Sequence, residues 1–334
     1  MNFNSNNTYI YLPSKKNFKV ALAIDNITLS RNSFKLYNPF SVKAKFLKFL
    51  FKNLSIYCNG LIIFFFAEKV NSNSDFIIYL EEKIGQKLNV SIYFSTVKDK
   101  VVLQLQSKDS IIIGYLKIAA NNIGNEHLNN EINAATFLGS KGLIASNYLI
   151  FHGAYKGMTY CLLKDLKGEI GFVPDGNINA IIRSLNTPVS YTLLAHPRIL
   201  DIEKKLELSG FKDLVILLNK SIGNINKSFK VVYEHGDFVD WNILKLEDSS
   251  YSFFDFEYFE KNGLEYMDLF KLNYQRATLL KKKSHIELID YMQSKIPLEL
   301  FRVLFIIYLL KEITIKYSEN LNFDNEKELL NLLN

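Results

Sequence analysis

The chain has 334 residues, of which 48% are hydrophobic and 22% charged, which is enough apolar material for about two domains and too much for an intrinsically disordered chain. Its net charge of +6, from 40 basic and 34 acidic side chains, is too small an excess to mark a nucleic-acid-binding protein, and no nucleic-acid partner is expected. Cys58 and Cys161 are far apart and lie in apolar runs, which excludes a disulfide framework and a cysteine zinc site and predicts two buried thiols.

The start of the chain is polar and uncharged and reads as neither a signal nor a transit peptide, so a cytoplasmic location is expected. Residues 1–88 are predicted to form an N-terminal α/β appendage, with short β-rich runs at 19–24 and 61–66. Between them, residues 41–54 follow Pro39 and read as a helix. Phe46, Leu47, Leu50 and Leu54 fall on one face of it, with lysines 43, 45, 48 and 52 mostly elsewhere. Two readings stand: the stripe packs on the body of the protein, or residues 41–54 make a peripheral contact with an anionic membrane or a lipid-linked substrate. The apolar runs at 61–67 and, within the segment 298–311, at 303–310 are shorter than the ~20 residues of a spanning helix and read as core.

Runs at 90–95, 100–106 and 111–118 are rich in β-branched and aromatic residues, and the breaks between them have turn composition. They predict an antiparallel meander, followed by a helix over 128–138 and strands at 148–151 and 158–163. Beyond the polar segment 164–171 the chain turns mainly helical, with helices predicted over 177–185, 200–209 and 211–221 and several after residue 267. One β-rich island interrupts this half, at 230–233 and 251–254. Such islands in helical surroundings carry active-site loops.

The sequence Glu234-His235-Gly236-Asp237-Phe238-Val239-Asp240-Trp241-Asn242 joins the two strands of the island, and Phe254-Asp255-Phe256-Glu257-Tyr258 follows the second. Phosphoryl transfer from ATP needs a carboxylate to orient or accept the proton of the acceptor hydroxyl, and oxygen ligands for Mg²⁺. Asp237 supplies the first, and Asn242 and Asp255 supply the second. His235 is expected to brace the loop by hydrogen bonding. The plainer alternative is a turn capped by Asp and Asn side chains, and the paired second motif weighs against it.

His-Gly-Asp followed by Asn five positions after the Asp, with Phe-Asp-Phe-Glu-Tyr after a short strand, resembles the catalytic and metal-binding loops of the aminoglycoside phosphotransferase and choline-ethanolamine kinase superfamily. The resemblance covers the last two thirds of the chain. It implies an α+β, two-lobed protein-kinase-like fold: an antiparallel-sheet small lobe (89–163), a mainly helical large lobe (164–334), and ATP with Mg²⁺ bound between them.

By the same resemblance Asp268 buttresses the catalytic loop, and Lys117 and Glu131 correspond to the small-lobe lysine and its helix glutamate. Ser95 and Thr96 lie in the phosphate loop, which here lacks glycine, and adenine is expected against the backbone near Leu163, Lys164 and Asp165. Glu257 is either a supporting residue beside the metal or a surface residue, and the other histidines (127, 152, 196 and 285) lack ligand spacing. The implied substrate is a small-molecule acceptor: a choline- or ethanolamine-like amino alcohol, or a sugar of cell-surface polysaccharide synthesis. Asp240, Trp241, Glu257, Tyr258 and Glu260 offer an acidic and aromatic surface to it. The rival readings are a pseudokinase scaffolding a cell-envelope biosynthetic assembly, and a nucleotidyl transferase on the same fold.

Overall fold

In the computed structural model, which describes residues 2–37, 39, 42–95 and 99–333, the β-branched runs of the first half pair into one sheet. The chain divides into two units, Met1–Leu166 and Lys167–Asn334.

The first unit contains β1 (Thr8–Leu12), β2 (Val20–Ala23), α1 (Ile27–Ser33), α2 (Val42–Tyr57), α3 (Asn59–Phe66), β3 (Ala67–Lys69), α4 (Asp75–Ile84) and β4 (Asn89–Phe94). It continues with β5 (Lys100–Gln106), β6 (Ile112–Ala119), α5 (Asn122–Ser140), β7 (Leu149–Tyr155) and β8 (Met158–Leu163). Its eight strands form an antiparallel sheet in the order β3-β1-β2-β4-β5-β6-β8-β7. The meander β4-β5-β6 lies within a residue of the predicted runs.

Residues 1–88 are not a separate body. β2 pairs with β4 (Val20 opposite Tyr93, Ala21 opposite Ile92), so the segment adds three strands to the same sheet. Alternation along β2 explains why the join is stable. Ala21 and Ala23 enter a core with Phe76, Leu80, Leu103 and Tyr160, whereas Val20 and Leu22 enter a second core with Phe34 and Ile62.

Residues 61–66, expected as a strand, form most of the helix α3. A continuous apolar run has no period to distinguish strand from helix. The helix predicted over 128–138 begins earlier, at Asn122, because the Asn121 side chain accepts from the Gly124 amide and caps it. Cys161 is buried, but Cys58 is only half-buried.

The second unit contains β9 (Gly168–Ile170), α6 (Asp175–Ser184), β10 (Asn186–Thr192), α7 (Pro197–Leu208), α8 (Lys212–Ile222), β11 (Ser228–Glu234) and β12 (Ile243–Leu246). β13 (Tyr251–Phe253), β14 (Glu260–Leu264), α9 (Met267–Gln275), α10 (His285–Lys295), α11 (Phe301–Ser318) and α12 (Asp324–Leu333) complete it. Two three-stranded sheets, β10-β11-β14 and β13-β12-β9, replace the single predicted island. The His-Gly-Asp segment therefore leads from β11 into β12, which pairs with β13 (Ile243 opposite Phe253). The strand Ile243–Leu246 is too short to show a period in sequence.

The core of this unit surrounds α11, which is buried on every side from Leu304 to Thr314. The ring of Phe270 stacks on Phe305 and Tyr308 with centroids 5.6 and 5.8 Å away. This burial accounts for the apolar run of α11, and among the described residues no helix is long and apolar enough to cross a membrane.

Candidate active site

Past the end of β11 the chain turns at Gly236, whose φ is 80°. A Cβ there would collide with the carbonyl oxygen of Tyr258, so both the dihedral and the close approach require glycine. The carboxylate of Asp268, in the first turn of α9, accepts from the amides of His235 (2.8 Å) and Gly236 (2.9 Å). Burial, with the charge of Glu234 added, pushes Asp268 up to about 6 against the pull of His235 and Lys311.

His235 links the two loops. The amide of Asp237 is 3.3 Å from Nδ1, which must accept, so Nε2 carries the proton and donates to the carbonyl of Phe254 at 3.0 Å. A second link runs from the Phe254 amide to the carbonyl of Asn242 (3.1 Å). The Asn242 side-chain amide donates to both the carbonyl and the Oδ2 of Asp237, each at 2.9 Å. Asp255 has a φ of 71°, a left-handed conformation uncommon outside glycine and concentrated at functional sites. Glu257 lies half-buried in the turn that follows.

Lys271 belongs to this group and was not visible in the motif. It lies three residues after Asp268 on α9, so both project from one face. Its Nζ is 3.5 Å from Asp237 Oδ1 and 2.9 Å from Glu312 Oε2. Burial opposes its charge, yet the carboxylates of Glu312 and Asp237 hold its pKa above the ordinary lysine value. The spacing from Asp268 is the only hint in the sequence, because Glu312 is forty-one residues away.

Two residues expected to face the acceptor are engaged elsewhere. Asp240 is buried and forms a two-pronged ion pair with Arg276 (2.7 and 2.6 Å), whose guanidinium also reaches the carbonyl of Val173 and the carboxylate of Asp175. Arg276 opens a π-helical segment, Arg276–Leu280, that continues α9. Glu260 lies 3.5 Å from Arg198. Neither acid is an uncommitted charge for a substrate amine.

In the first unit, Lys117 on β6 reaches both carboxylate oxygens of Glu131 on α5, at 2.6 and 2.7 Å, with both side chains buried. Ser95 follows β4, and its amide donates to the carbonyl of Lys100 (3.3 Å). Thr96 lies outside the described residues. Asp99, across that loop, is 3.1 Å from His127 Nδ1. Burial works against its charge, but His127 and Lys100 hold it down at about 2. Leu163 ends β8 opposite Tyr115, and Gly114 is the one residue type that fits there, since a Cβ would collide with the carbonyl of Leu163. Asp165 bonds to the Tyr115 hydroxyl. The Lys164 amide donates to the carbonyl of Tyr148 (2.8 Å), so that donor is already used within the unit.

The donors that the Asp237 and Asp255 loops offer are carboxylate and amide oxygens. Asn242 has its nitrogen turned to Asp237, which leaves its oxygen as the ligating atom, and both ring nitrogens of His235 are occupied. This set suits a hard cation such as Mg²⁺ and does not suit zinc.

Neither a protein-family model nor a curated protein matches the chain. Among solved structures it is similar to a thermostable mutant of the aminoglycoside phosphotransferase APH(4)-Ia, with a TM-score of 0.52 at 10% identity, over 78% of this chain and 97% of that one. It is also similar to the choline kinase LicA from Streptococcus pneumoniae, with a TM-score of 0.46 at 13% identity, over 78% and 99% of the two chains. The eight-stranded antiparallel sheet and the likeness to the first of these agree that the chain carries a protein-kinase-like fold, the fold of that aminoglycoside phosphotransferase.

Proposed function

We propose that this chain is an ATP- and Mg²⁺-dependent phosphotransferase that moves the γ-phosphate of ATP to a hydroxyl group of a small molecule. The observation that carries this reading is the locked pair of loops in which Asn242 clamps Asp237 and His235 ties that loop to the strand leading to Asp255. Phosphoryl transfer is mostly positioning and charge stabilisation, and rigid placement of these groups is what it requires.

Lys117, held by Glu131, presents its ammonium to the α and β phosphates. Asp237 accepts a hydrogen bond from the acceptor hydroxyl and aims its oxygen at the γ-phosphate. The ammonium of Lys271, 3.5 Å from Oδ1, helps to hold the carboxylate in place for that role. Mg²⁺, held by the oxygens of Asp255 and Asn242, supplies neutralisation of the phosphate charge when bound.

With Asp240 and Glu260 committed to arginines, a cationic amino alcohol loses two of its expected partners. The acceptor class that this leaves is a small hydroxyl-bearing molecule, a sugar as readily as an amino alcohol. That the phosphotransferase sharing this fold was crystallised with ADP and hygromycin B supports a nucleotide and a small-molecule acceptor together.

The test is ADP release from ATP over a panel of choline, ethanolamine, aminoglycosides and simple sugars. Asp237→Asn is expected to lower turnover on the responding acceptor by roughly 10²–10⁴-fold while the variant still binds Mg²⁺-ATP. Turnover unchanged in that variant would remove Asp237 from the chemistry. A chain that binds no Mg²⁺-ATP at all would favour the scaffold reading.

A further inference from the structure

Residues 26–67 contain six basic side chains, Arg31, Lys35, Lys43, Lys45, Lys48 and Lys52, and no Asp or Glu. Removing these six from the 40 basic residues of the chain leaves 34 against 34 acidic ones, so the whole net charge of +6 resides in this segment. It is the segment that forms α1, α2 and α3.

The same segment carries an apolar surface that faces outward. α2 packs on the body of the first unit through Phe51 and Leu54 and buries Ser55. Phe46, Leu47, Phe49, Leu50 and Tyr57 of the same helix are exposed. The sequence stripe Phe46-Leu47-Leu50-Leu54 is thus divided, with Leu54 alone packing inward. In α3 Ile62 is buried, while Leu61, Ile63, Phe64, Phe65 and Phe66 are exposed. Exposure reaches 65% at Phe49, 79% at Phe64 and 66% at Phe65. A cluster of exposed aromatic and aliphatic side chains on two adjoining helices is unusual for a surface in water and marks an interaction site.

We propose that α2 and α3 form a docking element for an anionic lipid surface, with Phe46, Phe49, Phe64 and Phe65 entering the interface and Lys43, Lys45 and Lys52 meeting the headgroups. Large apolar side chains bordered by lysines, with no acid among them, have the composition of helices that lie in the plane of a bilayer. α3 has eight residues and α2 sixteen, both short of the ~20 that would span it. Burial, and then the charge of Lys52, pull the Lys48 ammonium down to about 8, a penalty that nearby anionic headgroups relieve. A second copy of the chain is the poorer occupant, because pairing the patch with itself sets the lysines of one α2 against those of another, and residues 26–67 supply no Asp or Glu to meet them. Docking at a lipid surface does not depend on the phosphotransferase reading, and its readout is independent of catalysis.

The test is flotation of the full chain with phosphatidylcholine vesicles and with vesicles that also contain phosphatidylglycerol. The chain is expected to float with the anionic vesicles at low salt, to remain unbound with the neutral ones, and to be released at high salt. Lys43→Glu and Lys45→Glu are each expected to lower partitioning roughly fivefold or more. The triple variant Phe49→Ser, Phe64→Ser, Phe65→Ser is expected to stay unbound with an unchanged melting temperature, since the three rings are exposed. Failure to bind anionic vesicles, equal binding to neutral ones, or a wild-type dimer that the triple variant converts to a monomer would each overturn the proposal.

Discussion

Lys271 shows how much one side chain contributes to placing Asp237. Its ammonium bridges Asp237 and Glu312 inside the fold, so its removal takes away the positive partner of the first and leaves the second buried without its nearest counter-charge. Lys271→Met is therefore expected to act twice. Turnover should fall by roughly tenfold to a hundredfold through misplacement of Asp237, with the KM for ATP little changed. Stability should fall by about 3 kcal/mol. Steady-state kinetics with varied ATP and a urea unfolding curve separate the two effects, and normal turnover would limit Lys271 to a structural role. The clamp of Asn242 on Asp237 was legible because it is short-range and keeps a fixed spacing of five residues. Lys271 was not, because its partners are thirty-four and forty-one residues distant, and spacing carries no record of contacts at that range.

Among the elements, α11 organises the core of the second unit. It is the central helix of the second unit, and its Lys311 donates to Glu234 at the end of β11, 2.8 Å away, with both side chains buried. That bond fixes the strand from which the His235–Asn242 loop departs. Lys311→Met is expected to destabilise the protein by about 3 kcal/mol, since it removes the nearer of the two buried cations beside Glu234 and leaves only Arg198 at 3.5 Å. The double variant Glu234→Gln, Lys311→Met should recover most of the loss, and urea unfolding of the two proteins checks this. An equal loss in both would assign the effect to packing of the lysine stem. The identity of α11 as core was readable from its apolar run, Val303 to Leu310, which is well short of the ~20 apolar residues that span a bilayer. α3 was misread as a strand, because six consecutive apolar residues, Leu61 to Phe66, satisfy either period, and the structure exposes most of them.

For the whole molecule, nucleotide binding gives the most direct global readout. A ligand that binds only the folded chain adds about 2.7 kcal/mol at a hundredfold excess over its dissociation constant. Mg²⁺-ATP should therefore raise the melting temperature of the wild type. Lys117→Met should abolish the shift, measured from its own unliganded midpoint, whereas Asp237→Asn should retain it. An equal shift in Lys117→Met would exclude the Lys117–Glu131 pair from phosphate binding.

The local geometry of the His235–Asn242 loop was already set by residue type and order, because a Gly at positive φ, a neighbouring Asp and an Asn five positions later place their groups through a few bonds of backbone. Three things depended on contacts between distant segments. Residues 1–88 joined the main sheet through the pairing of β2 with β4, Asp240 was withdrawn from the acceptor surface by Arg276, and the apolar faces of α2 and α3 turned outward. Each is a choice of partner among many segments of similar composition, and such a choice is made by packing and burial in three dimensions, which local sequence does not encode.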